Sequence, residues 1–365
     1  MVCSTEVLSS SLALSLLRHS PSPSESFVLS PFSLNSAFSI IHDGSKGTTE
    51  KELTNLLLKG CTPADVTSYY SSLTLSLSRN NNTGVSFTSA NRFYVDSSIS
   101  LKKDYQKHVE DKYKMKVAGI KLRVKNEAAK EMNTFVEEAT NGKIRDIIKA
   151  DQISDDAMAI LINAIHFLGN WKFPFNPIST NAYMKFKGLK GEREMDFMNH
   201  YAKNFPVNKQ NQFGTALILP YKDENYRFFF LMPEETSNIE KMRNDLTGDK
   251  LITILKDAQS VYGDFTVPKF TIEPQLDGVS VLKKLGVSNL FADNADLSKI
   301  SGTPLKVSKI QQKAVIEVNE EGSEAAAATM VEAVTESMRP HYVIDRPFLY
   351  GILRNEDLLF IGQFV

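Results

Sequence analysis

Six histidines (His19, His42, His108, His166, His200 and His341) and two cysteines (Cys3 and Cys61) are the side chains of this 365-residue sequence best suited to ligate a metal or act as base or nucleophile. Their spacing supports neither role. No histidines pair at metal-ligand spacing, and neither cysteine has a nearby cysteine partner. Gly44-Ser45-Lys46-Gly47 has the wrong spacing for a nucleophile elbow, and no phosphate-cradling or dinucleotide glycine fingerprint occurs. His166 lies in an apolar run and reads as a satisfied core histidine. Dispersed triads leave no local motif, so a hydrolase stands only as a third reading without positive support. The informative chemistry is in residues 320–336, EEGSEAAAATMVEAVTE. Propensity makes this a helix with Ser323 as N-cap. Alternation makes it a strand with one uncharged face: Ser323, Ala325, Ala327, Thr329, Val331 and Ala333 on one side, Glu324 and Glu332 on the other. A segment that satisfies two structures is a candidate switch.

The elements that must carry this segment divide the chain unevenly. The first 150 residues read as mainly helical. An amphipathic helix covers 7–17, with Leu8, Leu12 and Leu16 at helical spacing, and SPSPSES at 20–26 is a loop. Thr49-Glu50-Lys51-Glu52 gives a capping box before Leu53, Leu56 and Leu57, closed by Gly60; another helix runs over 126–140 to Asn141-Gly142. From Ala157 the pattern changes to strands. The run 157–168 is apolar on both faces, as a central strand must be, and further strands are predicted at 213–221, 227–232, 264–270, 306–318 and 358–364. Short helices interrupt them near 238–246 and 278–285. Helices first and strands later, without regular alternation, make the fold class α+β.

Composition narrows the partners. A net charge of −1, with 42% hydrophobic and 23% charged residues, supplies a sizeable core and argues against nucleic acid or an acidic membrane surface. The lysines between Leu101 and Lys125 read as a solvated helix face rather than a polyanion site. Two cysteines make a disulfide framework unexpected, and two reducible thiols fit the cytosol. The stretch 7–17 lacks a basic flank and follows Glu6, unlike a signal peptide; 157–169 is too short to span a bilayer. The expectation is a cytoplasmic monomer with no metal, cofactor or membrane span, its release to the outside left open. The sequon Asn81-Asn82-Thr83 carries no weight in that compartment.

Along essentially its whole length the chain resembles a serpin of the intracellular, clade-B-like or invertebrate inhibitory type. Ser30-Pro31-Phe32-Ser33 resembles the family's start of a second helix, and Asn163 through Trp171 its N-A-x-x-F-x-G-x-W segment. Val267-Pro268-Lys269-Phe270, Leu285-Gly286-Val287 and Asp345-Arg346-Pro347-Phe348 follow in family order, and Glu320 through Thr329 is similar to the hinge of inhibitory members. The resemblance implies one domain over 1–365 with three β-sheets, about nine helices and an exposed reactive-centre loop at about 320–341. In such proteins a protease attacks the loop as substrate, and the loop then inserts into the large sheet, trapping the acyl-enzyme as a covalent complex. The protein is then a single-use inhibitor rather than an enzyme.

The hinge implied is Glu320, Gly322, Ser323, Glu324, Ala325, Ala326, Ala327, Ala328 and Thr329. Family spacing from Gly322 and from Pro347 converges on Glu336–Ser337 as the reactive bond. A glutamate bait calls for a basic primary pocket, as in granzyme-B-like serine proteases or caspases. Cysteine cathepsins read the preceding apolar residue; Val334 would direct them to Thr335–Glu336. Ser30, Ser33, Asn163, Gln312 and Trp171 are the implied sheet-opening residues. Gln312 stands where many serpins carry histidine, and its amide supplies both donor and acceptor there. The competing reading is a non-inhibitory serpin acting as carrier or chaperone.

Overall fold

The computed structural model describes residues 5–20, 24–77, 84–322 and 339–365. Its helices are α1 (Thr5–His19), α2 (Pro31–Gly44), α3 (Gly47–Leu57), α4 (Pro63–Leu77), α5 (Lys103–Tyr113), α6 (Lys125–Ala139), α7 (Ile239–Asp245), α8 (Gly248–Lys256) and α9 (Gly278–Lys284). The early strands are β1 (Phe27–Leu29), β2 (Val85–Asp96), β3 (Lys116–Ile120), β4 (Ala159–Gly169), β5 (Asn181–Gly188), β6 (Gly191–Asn208), β7 (Thr215–Pro220) and β8 (Tyr226–Met232). The later ones are β9 (Gln259–Pro268), β10 (Phe270–Ile272), β11 (Gln275–Asp277), β12 (Lys309–Val318), β13 (His341–Val343), β14 (Phe348–Arg354) and β15 (Asp357–Phe364).

The doubly apolar run becomes β4, and both its faces are used. Leu161, Ile165 and Phe167 enter the main core; Ile160, Ile162 and Ala164 enter a second cluster with Tyr94 and with Met132 and Val136 of α6. One layer is therefore a six-stranded sheet ordered β10-β12-β4-β2-β3, with β11 also on β12, and α6 packs on its outer face. The other sheet follows a nine-stranded path, β1-β15-β14-β8-β7-β6-β9-β13 with β5 on β6. That path is two sheets joined, because β6 and β9 run through both. The pairing slips between His200 and Lys203, where Ala202 has φ +51°. A bulge of this kind bends a strand from one sheet into the next. Helix α2 lies against this core, and nearly all its residues are buried. A helix apolar or small on all sides has no solvent face to offer.

Several expectations are corrected in detail. The first 150 residues hold the twelve-residue β2, whose alternation is blurred because α6 covers one face. The predicted capping box at Thr49 does not form: α3 starts at Gly47, and Thr49 Oγ1 donates to Asn289 Oδ1 (2.8 Å) instead. Glu52 accepts from the backbone N–H groups of Ser288 and Asn289, both at 2.8 Å, so a distant loop outbids the local cap. His166 is half-buried on β4 rather than in the core. Cys61 is disulfide-bonded, which removes the thiol argument for a reducing compartment. No helix of the described residues is long and apolar enough to cross a membrane.

Candidate functional site

Two stems hold the ends of the segment singled out in the sequence. The first continues from β12. After Val318 the chain turns at Asn319–Gly322, with the Gly322 N–H donating to the Asn319 carbonyl at 3.3 Å. The Trp171 backbone N–H donates to Glu321 O (3.1 Å), its indole Nε1 to Asn319 O (2.8 Å), and the Phe175 N–H to Glu320 O (2.7 Å). Glycine is required at 322: φ is +104°, and a Cβ there would collide with the Gly169 carbonyl. Trp171 stacks on Tyr221 at 4.5 Å, and Phe175 leans on His200 at 4.1 Å. Burial pushes His200 down to about 4 against the opposing bond to the Phe173 carbonyl, so at neutral pH this brace is uncharged. Glu320 is itself anchored, to Thr180 Oγ1 (2.9 Å) and Lys269 Nζ (2.9 Å). Burial alone would raise its carboxyl, but Lys269, its own backbone and Thr180 outweigh this and hold it below the usual range.

The second stem is Arg339–Val343. Arg339 Nε pairs with Asp264 Oδ1 at 3.2 Å, and β13 runs parallel to β9 from His341↔Asp264 to Val343↔Thr266. Thr266 Oγ1 donates its one proton to Asn199 Oδ1, so His341 Nε2, at 2.8 Å, must donate to Thr266. Residues 323–338, with the hinge from Ser323 to Thr329 and the bonds Glu336–Ser337 and Thr335–Glu336, lie outside the described residues.

Between the stems and the core runs a seam. β12 and β4 are direct parallel neighbours from Lys309↔Ile160 to Val315↔His166. Beyond that point β12 continues through Ile316–Val318 paired only with β10, while the end of β4 pairs only with β2. The seam therefore already parts at the end where the first stem turns back.

The sequence pattern of the family described as "Serpin (serine protease inhibitor)" matches residues 8–365. The chain belongs to the serpin family. It is 30% identical over 368 residues to the leukocyte elastase inhibitor of Sus scrofa, covering 96% of each chain. It is 30% identical over 354 residues to the alpha-1-antiproteinase of Rattus norvegicus, covering 92% of this chain and 82% of the relative. Among solved structures it resembles Serpin48 of the insect Tenebrio molitor, with a TM-score of 0.84, 28% identity, and 98% and 96% of the two chains covered. Serpins as a family inhibit proteases rather than catalyse a reaction, and the fold found is the one the resemblance implied.

Across the seam of this serpin lies a row of amides. Register sets Gln312, Asn163 and Asn91 side by side on β12, β4 and β2. Gln312 Oε1 accepts from the Ser30 N–H (3.1 Å), and its Nε2 donates to Ser30 O (3.2 Å) and to Asn163 Oδ1 (2.6 Å). The two protons of Asn163 Nδ2 serve three acceptors, with Ser33 Oγ (2.7 Å) and Ser33 O (3.0 Å) on one side and Asn91 Oδ1 (2.6 Å) on the other. Ser30 caps α2, accepting from the Ser33 N–H at 3.3 Å while its hydroxyl donates to Leu359 O at 2.8 Å. Ser30, Ser33, Asn163 and Gln312 are all buried, and each amide in the row has a partner. The structure thus brings these four together and leaves Trp171 apart, just beyond the end of β4 and roughly 26 Å from Asn163 at ~3.3 Å per residue. Trp171 belongs to the first stem.

Sequence reasoning missed Asn91 and Ser89, and the contacts of Thr180 and Lys269 with Glu320. Ser89 and Asn91 are two residues apart on one face of β2, and Asn91 Nδ2 donates to Ser89 Oγ at 2.9 Å. Two polar residues on a strand face otherwise made of Val85, Phe87, Phe93 and Val95 were the available signal. It needed β2 to be recognised first.

Proposed function

We propose that this serpin is a single-use inhibitor of serine proteases that prefer acidic residues, with the loop over about 320–341 as bait. The observation that carries the reading is the seam: β12 and β4 lie in direct parallel contact, and the chain leaving β12 turns back beside it at Gly322. A segment following that turn would enter between them antiparallel to both, replacing one parallel ladder by two antiparallel ones, which are somewhat more stable per residue. The uncharged positions Ser323, Ala325, Ala327, Thr329, Val331 and Ala333 suit its buried face. About twelve new backbone hydrogen bonds at ~0.5–1.5 kcal/mol each would release on the order of 6–18 kcal/mol. That rivals the ~5–15 kcal/mol stability of an ordinary domain and is enough to deform an attached protease.

In this mechanism the protease serine attacks the Glu336 carbonyl. An ester forms, the bond to Ser337 breaks, and the new Ser337 amine takes the proton. Insertion then carries the ester away from Ser337 before water can cleave it. Opening the seam requires the Gln312–Asn163 bond to break, so Ser30, Ser33, Asn163, Asn91 and Gln312 set the ease of opening. A cysteine protease reading Val334 would attack Thr335–Glu336 by the same route. Incubation with a granzyme-B-like and a cathepsin-L-like protease tests this. The expected product is an SDS-stable complex, with Ser337 as the new N-terminus of the released peptide. Loop cleavage by suitable enzymes without any complex would favour the carrier reading.

A further inference from the structure

A cavity of about 430 Å³ opens at a free edge of the six-stranded sheet, away from both stems. β3 pairs with β2 only from Arg92↔Lys116 onward, so among the described residues no strand covers the edge of β2 from Val85 to Asn91. Phe32, Leu77, Phe87, Met115 and Phe135 supply apolar walls. The charged lining is of one sign: Arg92, Lys114 and Lys116, with no carboxylate among the described lining residues.

Arg92 is held in an unusual way. Its guanidinium lies 3.6 Å over the Phe135 ring and 5.7 Å from the Tyr94 ring, and its Nε is buried without a hydrogen-bond partner. Its Nη1 makes only a long hydrogen bond, 3.5 Å to the Tyr94 hydroxyl, among the described residues. Glu127, Glu131 and Glu138 line a separate groove on the α6 side of Arg92, and none forms an ion pair with it. A fixed guanidinium with unused donors, next to two lysines and above aromatic walls, is arranged for an anion carrying an apolar body. Ser89 and Asn91 add neutral polar groups at the same cavity.

We propose that this cavity binds an amphipathic organic anion. The carboxylate or sulfonate head is held by Arg92 and Lys116, and the aliphatic or aromatic body covers Phe32, Phe87 and Met115. The volume falls within the ~300–1,000 Å³ of small-molecule sites. At ordinary ligand efficiency a twelve-carbon carboxylate would bind with Kd on the order of 10–100 μM.

Isothermal titration of the full chain with dodecanoate tests this, with dodecylammonium as the charge-reversed control. The expected result is saturable binding of one dodecanoate per chain that weakens as salt is raised, and no matching binding of dodecylammonium. Arg92→Gln should weaken dodecanoate about tenfold, as the loss of a charge-assisted hydrogen bond does. Lys114→Gln combined with Lys116→Gln, both exposed and so unable to disturb the core, should weaken it severalfold. Absence of saturable heat up to roughly 1 mM, equal binding of dodecylammonium, or unchanged affinity in the lysine double variant would overturn the proposal. The readout is binding, so it stands or fails independently of protease inhibition.

Discussion

Replacing Gln312 by alanine should cost this serpin a large share of its stability, and the structure indicates how much. The side chain fills three hydrogen bonds, with the Ser30 N–H, the Ser30 carbonyl and Asn163 Oδ1, in a region shut off from solvent. Each buried group left unpaired costs ~1–3 kcal/mol, so complete loss amounts to about 3–9 kcal/mol. Water entering the truncated space would recover part of this, leaving about 3–5 kcal/mol for Gln312→Ala. Gln312→Leu restores the volume and keeps water out, so it should be no more stable than the alanine variant. The assay is urea unfolding followed by fluorescence of Trp171, the only tryptophan, which is buried against Tyr221 and reports directly on the first stem. If leucine rescued the alanine variant, the site would be acting by packing alone. If both variants unfolded with the wild type, the amide row would not hold the sheet shut.

Other perturbations probe separate parts of the account. Gly322→Ala meets both a positive φ and the Gly169 carbonyl, so it should destabilise by about 2–3 kcal/mol and red-shift Trp171 emission. An unchanged spectrum would count against the stem geometry. Asp43 accepts from His108 Nε2 and the Tyr113 hydroxyl, each at 2.8 Å. Burial works against its charge, but hydrogen bonds from His42, His108 and Tyr113 prevail and hold the carboxyl down at about 2, against the ordinary 3.8. Because the folded value is the lower one, the resulting stability is fully present above pH 3.8 and lost as pH falls through about 2. Asp43→Asn should therefore lose about 1–2 kcal/mol at neutral pH and show a flatter acid-unfolding curve. A curve parallel to the wild type would remove Asp43 from the account. Ala327→Arg would bring a charge into the sheet interior, so loop recognition should survive while the stoichiometry of inhibition rises steeply. An undiminished stoichiometry would contradict insertion at that register.

How much of this was legible in the sequence depended on whether the cause was local. β4 declared itself because burial on both faces leaves an unbroken apolar run. The end of α6 was visible because Asn141 and Gly142 both adopt positive φ there. The capping box at Thr49 misled because its side chains found better partners in the 288–296 loop, a choice made by tertiary contact. β5 and β6 escaped notice because their exposed halves carry charged residues on a sheet edge, where no apolar alternation is required. The amide row was only half visible. Ser30, Ser33, Asn163 and Gln312 stand in motifs resembling the family's, whereas Asn91 enters through register with Asn163, which no one-dimensional pattern records.

The claim on which the rest depends is that the cleaved loop becomes a strand of the six-stranded sheet. Thermal melting before and after nicking the loop with a glutamate-specific endoprotease tests it directly. Insertion worth on the order of 6–18 kcal/mol predicts that the cleaved protein melts about 8–23 °C higher than the intact one. An unchanged or lowered melting temperature in a chain cut at Glu336–Ser337 would contradict the account.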